Sequence, residues 1–242
     1  MGSTKELIDE ERLLHDRTIN KQVPPSPYYD SWYGDHLPGE APQHRVRITR
    51  PFYLGVTQVA QEQYQRVMGN NPSKFQGDPK RPVEQVSWDD AVEFCRRLSE
   101  LEHGGKRYQL PTEAQWEYAC RAGSITRYWF GDDGSQLGDY AWYEANSESK
   151  THPVGQKRSN AWGLCEYGNV WEWCQDWYDK NYYAKSPTDD PTGPPDGSQR
   201  VLRGGSWFDP ARICRSAFRR NFEPGNRHGT IGFRVSLVVA DE

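Results

Sequence analysis

Arginine dominates the part of this chain in which chemistry is most expected. From Arg200 to Arg234 there are eight arginines, two acids (Asp209 and Glu223) and no lysine, so this segment carries a formal charge of +6. The whole chain of 242 residues carries −4. A guanidinium group binds carboxylates in a planar, two-point geometry that lysine cannot provide. The segment therefore indicates either ion pairs with the protein's own acids or a site for an anionic ligand. No nucleic-acid-binding motif accompanies the charge, so we expect no nucleic acid as partner.

Cysteine and histidine form no recognisable catalytic or metal-binding motif. The five cysteines are widely spaced without a Cys-x-x-Cys pair, and the six histidines are scattered. This spacing indicates neither a zinc site nor a disulfide framework. Neither Gly-x-Ser-x-Gly nor His-Glu-x-x-His is present, so the residues alone identify no nucleophile or acid–base pair.

The sequence favours a cytoplasmic location. The odd number of cysteines is typical of a reducing compartment. The charged amino terminus does not resemble a signal peptide, although removal of one would leave the same sequence. No apolar run approaches the about 18 residues of a membrane helix, so we expect no membrane span.

The composition predicts a loop-rich α+β domain with an aromatic core. Hydrophobic residues make up 35% of the chain and the mean hydropathy is −0.98, yet there are 10 tryptophans and 14 tyrosines. Large rings must then supply much of the buried area. The 22 glycines and 17 prolines indicate many turns and disfavour a helical bundle.

Two to three helices are predicted to position the chemistry-bearing residues. One begins at Thr57 and ends at Gly69, another begins at the capping box of Ser87, and a third begins at the capping box of Thr112 and ends at Gly123. Cys95 and Cys120 fall on inward faces of the last two helices, where we interpret them as small core residues.

Short strands and loops fill the rest of the chain. Strands are predicted at 45–49, 51–56, 200–207 and 231–239. The about two dozen residues after Trp207 show no periodicity, which is typical of a functional loop. We divide the chain into an amino-terminal arm of residues 1–43 and one domain of residues 44–242. Within the arm, residues 1–22 are predicted to be a charged helix or tail.

Five motifs in order resemble the formylglycine-generating enzyme (sulfatase-modifying factor) superfamily. They are Pro82-Val-Glu-Gln-Val-Ser-Trp-Asp-Asp-Ala91, Tyr108-Gln-Leu-Pro-Thr-Glu-Ala-Gln-Trp-Glu-Tyr-Ala-Cys-Arg-Ala-Gly123, Gly168-Asn-Val-Trp-Glu-Trp-Cys174, Arg203-Gly-Gly-Ser-Trp207 and Gly232-Phe-Arg234. The resemblance spans about residues 44–239 and implies a variant of the C-type lectin fold. Fold alone does not assign activity, so the site must be judged on its own residues.

The resemblance implies a copper site that this chain does not reproduce. Active members oxidise a cysteine of a sulfatase peptide to formylglycine, with one copper(I) held by two cysteines in the segment after Gly-Gly-Ser. Here Cys214 matches the later cysteine, whereas Asp209 stands at the earlier position. A carboxylate is a hard ligand and a poor substitute for a thiolate on copper(I). Copper is therefore not expected as a cofactor.

The resemblance also implies a calcium ion in the Gly-Asn-Val-Trp-Glu-Trp loop. The carbonyl oxygens of Gly168 and Val170 and the carboxylate of Glu172 match the hard oxygen ligands that calcium takes. The fourth ligand would come from Cys165-Glu-Tyr167, which is one residue short, so Glu166 would have to compensate. The alternative is that Glu172 pairs with an arginine of the loop and no ion is bound.

Catalytically silent relatives suggest a binding function. The variable proteins of diversity-generating retroelements use this fold as a display frame, and residues 203–234 resemble their variable segment. We hypothesise a non-catalytic protein that binds a protein or other ligand through residues 207–230. The alternative is an oxidase with an altered copper site and Cys214 as its remaining thiolate. The candidate ligand-binding residues are Trp207, Phe208, Asp209, Arg212, Ile213, Phe218, Arg219, Asn221, Phe222, His228 and Thr230.

Overall fold

The computed structural model describes residues 36–102, 106–164 and 167–238. Within these residues it has three α-helices, three short 3₁₀ turns and nine short strands. The helices are α1 (Gln61–Met68), α2 (Trp88–Leu101) and α3 (Glu113–Arg121), and the 3₁₀ turns are Leu37–Glu40, Gly134–Asp139 and Tyr182–Ala184. The strands are β1 (Phe52–Leu54), β2 (Arg107–Gln109), β3 (Ala141–Trp142), β4 (Tyr167–Gly168), β5 (Trp171–Trp177), β6 (Arg200–Arg203), β7 (Arg220–Phe222), β8 (Ile231–Phe233) and β9 (Ser236–Val238).

Helices α2 and α3 begin where the capping residues place them, whereas α1 begins at Gln61, four residues after the predicted start at Thr57, and ends before Gly69 as predicted. Ser87 Oγ accepts the Asp90 amide at 3.1 Å, and the Asp90 carboxylate accepts the Ser87 amide at 2.9 Å. Such reciprocal bonds satisfy amides that a helix start leaves without partners. Thr112 and Gln115 repeat the arrangement at the start of α3. The predicted helix starts at Ser87 and Thr112 are confirmed.

Three small sheets surround the core. One has the order β1-β9-β2 with antiparallel pairs, the second pairs β3 and β4 in parallel, and the third has the order β7-β6-β5-β8. In the third sheet β5 is antiparallel to β6 and parallel to β8, so the central strand β5 is covered on both edges. β5, the longest of the described strands, is therefore an interior strand of this sheet.

Aromatic rings close the core, as the composition predicted. Trp171 and Trp173 of β5 are fully buried, and Phe233 of β8 packs edge-on against Phe94 of α2 at 5.2 Å between ring centroids. Tyr64 of α1 stacks on Phe94 at 5.6 Å. Edge-to-face and offset stacks are the geometries that aromatic quadrupoles favour. Helices α1 and α2 are therefore fixed to the third sheet by rings.

Several predicted strands have different limits in the structure. Residues 45–49 make one isolated bridge, between Arg47 and Asp189, because no strand lies beside them. The predicted strand 231–239 divides into β8 and β9, which belong to different sheets. The segment after Trp207 was predicted to lack regular structure, yet it contains β7, which pairs with β6.

The packed domain begins before residue 44. Leu37 is fully buried in the main core, and Glu40 pairs with Arg215. These two residues, which the division of the sequence places in the amino-terminal arm, therefore pack against the domain, although no local pattern marks them as core. The predicted helix or tail of residues 1–22 lies outside the described residues. Among the residues described, no helix is long and apolar enough to cross a membrane.

Candidate functional site

Arginines of the 200–234 segment form ion pairs that hold this segment against the rest of the domain. Five of them pair with acids from other parts of the chain, and four of these pairs are at most 4% exposed on either side. Ion pairing within the protein, one of the two interpretations drawn from the sequence, holds for these five residues. The pairs are Arg203–Glu117, Arg215–Glu40, Arg219–Glu113, Arg227–Asp90 and Arg234–Glu172.

Two of these pairs hold the segment against helix α3. Arg219 makes a two-point contact with Glu113, with N–O distances of 2.7 and 2.8 Å. Arg203 pairs with Glu117 and also donates to the Phe218 carbonyl at 2.6 Å. Burial disfavours the charged form of Glu117, but the positive charges of Arg203 and Arg121 and the hydrogen bond from Arg121 together outweigh burial and lower the pKa of Glu117 to about 2. The loop backbone is thus fixed by charge-assisted hydrogen bonds in a buried setting.

The three predicted calcium ligands come together around an amide nitrogen. Gln58 Nε2 lies 3.0 Å from the Gly168 carbonyl, 3.0 Å from the Val170 carbonyl and 3.0 Å from Glu172 Oε1. Gly168 has a φ of +70°, and a Cβ there would lie 2.0 Å from the Trp142 carbonyl oxygen, which explains why glycine is required. Sequence reasoning missed Gln58, which is 110 residues from Gly168 along the chain.

Glu172 is already neutralised by an arginine. Arg234 Nε and Nη2 each lie 3.0 Å from a Glu172 oxygen, and Trp116 Nε1 donates to Oε2 at 2.7 Å. Together with the Gln58 amide, these donors occupy the positions from which a cation would contact the carboxylate. The arrangement does not fit calcium, which takes six to eight oxygen ligands. The pair of Glu172 with Arg234, an arginine of the loop, is the contact that the alternative drawn from the sequence requires.

Asp209 and Cys214 do not fit copper(I). Asp209 is 1% exposed, accepts a hydrogen bond from Ser206 Oγ and lies 3.9 Å from Arg220 Nη1. Cys214 is fully buried, and burial together with the negative charge of Asp209 raises the pKa of its thiol well above the usual range. Copper(I) prefers two thiolates, whereas this pocket offers a protonated thiol and a carboxylate. Among the residues described, no group of three or more His, Cys, Asp or Glu could hold a metal ion.

Six of the predicted ligand-binding residues reach the surface. Phe208 is the most prominent hydrophobic one, with 49% of its area exposed. Trp207 lies beside it at 5.4 Å between ring centroids and donates from Nε1 to the Gly229 carbonyl at 2.8 Å. The side chain is therefore oriented by a hydrogen bond while part of its ring remains accessible. The six residues, which we call the 207–228 surface, are Trp207, Phe208, Arg212, Asn221, Phe222 and His228.

The other five predicted residues are buried, so their side chains do not lie on the surface of the structure. Each is at most 5% exposed. Ile213 and Phe218 belong to the main core, and Arg219 is held by Glu113. The sequence could not separate them from the exposed positions, because the segment has no periodicity that marks an inward face. The five residues are Asp209, Ile213, Phe218, Arg219 and Thr230.

The segment between α1 and α2 adds residues that the sequence did not indicate. The Phe75 ring meets Trp207 edge-on at 5.3 Å, and Lys74 Nζ lies 5.1 Å from the centre of the Phe75 ring. Beneath them Glu84 is fully buried and accepts the Phe75 amide at 2.8 Å, and burial raises the pKa of this carboxyl. No local signal relates this segment to Trp207, since the contact is purely tertiary.

Comparisons with known proteins agree with this architecture. Residues 26–238 match the family model of the sulfatase-modifying factor enzyme 1-like domain. The formylglycine-generating enzyme of Streptomyces coelicolor is 42% identical over 180 residues, which are 68% of this chain. The match covers 55% of that enzyme, so the chain spans about half the length of this relative.

Two solved structures are similar over most of the fold. Treponema denticola variable protein 1 has a TM-score of 0.75 and 36% identity, with 80% of this chain and 86% of that chain covered. PvdO from Pseudomonas aeruginosa has a TM-score of 0.74 and 30% identity, with 84% and 86% covered. The predicted fold class, an α+β domain of the C-type lectin-like, formylglycine-generating enzyme type, is confirmed. The family model covers residues 26–238, and all five motifs lie within this range. This protein therefore belongs to the sulfatase-modifying factor enzyme family.

Proposed function

We propose that this protein binds a ligand without transforming it, and that the fold serves as a rigid frame for the 207–228 surface. The observation that carries the proposal is the state of the pocket in which relatives are expected to hold copper. There Asp209 is bonded to Ser206, and the neighbouring Cys214 thiol is buried and protonated. The residues that would make an oxidase are thus used as packing and hydrogen-bonding groups.

The chemistry of the 207–228 surface suits a protein partner. Trp207 and Phe208 form an accessible aromatic pair, and Arg212 and His228 add polar edges. Tryptophan and arginine contribute strongly to interface energies, and aromatic residues are enriched at interface cores. The buried ion pairs behind the segment reduce the conformational entropy lost on binding. The similarity to a solved variable protein supports this proposal.

A second candidate function is oxidation of a cysteine in a sulfatase-type peptide. It is favoured by the 42% identity to a formylglycine-generating enzyme. In that case Cys214 would be the remaining thiolate of an altered copper site. Calcium, which the resemblance implied, would in neither case find the predicted ligands free, because Glu172 is held by Arg234.

Copper(I) titration separates the two candidates. We expect the wild-type protein to lose the competition for copper(I) against the chromophoric chelator bicinchoninate, because a single protonated thiol and a carboxylate are poor ligands. Asp209→Cys supplies a second thiolate beside Cys214 and should bind one copper per chain, and the added change Cys214→Ser should abolish that binding.

The same samples can be tested for activity. Copper-treated wild-type protein should leave a cysteine-containing sulfatase peptide unchanged by mass spectrometry. Stoichiometric copper binding by the wild type that Cys214→Ser abolishes would refute the binding proposal, and formylglycine in the peptide would also establish the oxidase.

A rigid frame should tolerate changes on its exposed surface. We expect Phe208→Ala to change the free energy of unfolding by no more than about 0.5 kcal/mol, as is usual for surface positions. The matched variant Phe218→Ala removes a fully buried ring and should cost about 3–5 kcal/mol. Urea denaturation measures both. A loss above 2 kcal/mol for Phe208→Ala would show that this ring is part of the frame and would count against a display surface.

A further inference from the structure

A groove beside helix α2 shares no lining residue with the 207–228 surface. It has a volume of about 580 Å³, within the range of about 300–1,000 Å³ typical of small-molecule sites. Trp88, Tyr108 and Leu110 provide apolar walls, and Gln109 and Gln175 are polar residues of the lining. The groove thus combines apolar walls with polar and charged groups that could orient a ligand.

One wall of the groove carries an arginine held between two tryptophans. The centre of the Arg200 guanidinium lies 3.8 Å from the Trp88 ring and 3.3 Å from the Trp177 ring. Its Nη1 donates to the Gln175 carbonyl at 2.7 Å, whereas its Nε is buried without a hydrogen-bond partner. Stacking covers both faces of the guanidinium, so its edge remains the part that can bind.

The charge of this groove is not balanced within the described residues. Arg200 differs from the five paired arginines of its segment in having no carboxylate partner there, and Arg107, which also lines the groove, has none either. A third lining arginine, Arg96, is held by Glu93 and Glu100.

Asp176, a buried carboxyl whose charge would act on Arg200, does not neutralise it at neutral pH. Burial of Asp176, together with the negative charge of Glu113, raises the pKa of Asp176 to about 8, so this carboxyl is largely protonated at pH 7. Burial also lowers the pKa of Arg200, and it outweighs the opposing effects of Asp176 and the exposed Asp89.

We propose that this groove binds a small organic carboxylate, whose oxygen atoms accept hydrogen bonds from Arg200 and Arg107 while its apolar part packs against Trp88 and Tyr108. The planar fork of arginine matches a carboxylate, and the surrounding rings provide area that a bare inorganic anion cannot use. No residue of the 207–228 surface takes part in this site. The test of the groove is therefore independent of the test of the proposed function.

Benzoate tests the proposal, with benzamide as its uncharged analogue. In ¹H–¹⁵N spectra the indole signals of Trp88 and Trp177 should shift saturably with benzoate, and they should not shift with benzamide. Arg107→Gln, a change at an exposed position, should weaken benzoate binding about tenfold or more, as loss of a charge-assisted hydrogen bond does. Arg158→Gln, which removes an exposed arginine outside the groove, should leave binding unchanged.

Three results would overturn the proposal. Equal shifts with benzamide would show that the groove binds the aromatic ring and does not recognise the negative charge. Equal shifts with inorganic phosphate at the same concentration would show adventitious anion binding. Unchanged benzoate affinity in Arg107→Gln would show that Arg107 does not bind the carboxylate.

Discussion

Replacing Arg234 by methionine should lower the free energy of unfolding by about 3–5 kcal/mol, the usual cost of leaving one partner of a buried ion pair uncompensated. Arg234 makes two contacts of 3.0 Å with Glu172, and it donates to the Gly55 and Val56 carbonyls at 2.8 Å. Methionine fills much of the same volume but donates no hydrogen bond. The Glu172 carboxylate would then be buried with only neutral donors. Urea denaturation at pH 7 measures the loss.

The matched control is an exposed ion pair. Arg47→Met removes a guanidinium from Asp189, whose pair has side chains 63% and 47% exposed. Exposed pairs contribute about 0–1 kcal/mol, so this variant should unfold almost like the wild type. The double variant Arg234→Met/Glu172→Gln should recover part of the loss, because the unpaired charge is gone. If Arg234→Met costs no more than Arg47→Met, Glu172 is not held by Arg234 in solution, and a cation in that position becomes the better account.

The second large effect concerns the pH dependence of stability. Asp176 is 3% exposed and accepts the Glu113 amide at 2.7 Å, and burial beside the Glu113 carboxylate raises the pKa of Asp176 from 3.8 to about 8. Between these two pH values the folded protein holds a proton that the unfolded chain has released. Its stabilising effect is complete below the unfolded pKa and is lost as pH rises through the folded pKa. This group alone makes stability fall by up to about 1.4 kcal/mol per pH unit in that window.

Asp176→Asn should remove that slope. Asparagine still accepts the Glu113 amide through Oδ1 but has no proton to release, so the variant should gain about 2–3 kcal/mol relative to the wild type between pH 5.5 and pH 8. Urea denaturation at intervals of half a pH unit measures this difference. The control is Asp189→Asn, because Arg47 lowers the pKa of Asp189 and keeps it charged throughout the window. Parallel stability curves for the wild type and Asp176→Asn would mean that Asp176 is ionised in the folded protein.

The parts of the fold that the sequence predicted correctly depend on local interactions. Ser87 and Thr112 bond to amides within their own first helical turns, so a four-residue pattern contains the whole cause of each helix start. The family was likewise predictable, because its motifs are contiguous stretches of sequence. Strands were predicted less accurately, because a strand forms only where a second strand lies beside it. The segment around Arg47 has no such neighbour and makes one isolated bridge, to Asp189.

The candidate site was predicted only in part. The sequence identified the arginine-rich segment and the substitution of Asp209 for a copper-binding cysteine. It could not assign Ile213 to the core and Phe208 to the surface, because both are apolar residues in a stretch without periodicity. It also missed Gln58 and Phe75, which reach the site from distant parts of the chain.

The amino-acid sequence by itself determined the starts of α2 and α3, the aromatic core, the excess of arginine near the carboxyl end and the lack of a second cysteine beside Cys214. The tertiary structure decided which acid each arginine meets, since partners such as Glu40 and Arg215 are 175 residues apart. The tertiary structure also leaves Arg200 without an acidic partner among the described residues. The physical reason is that a side chain's charge and size are properties of one residue, whereas an ion pair or a burial state requires a second surface that only the folded chain brings into place.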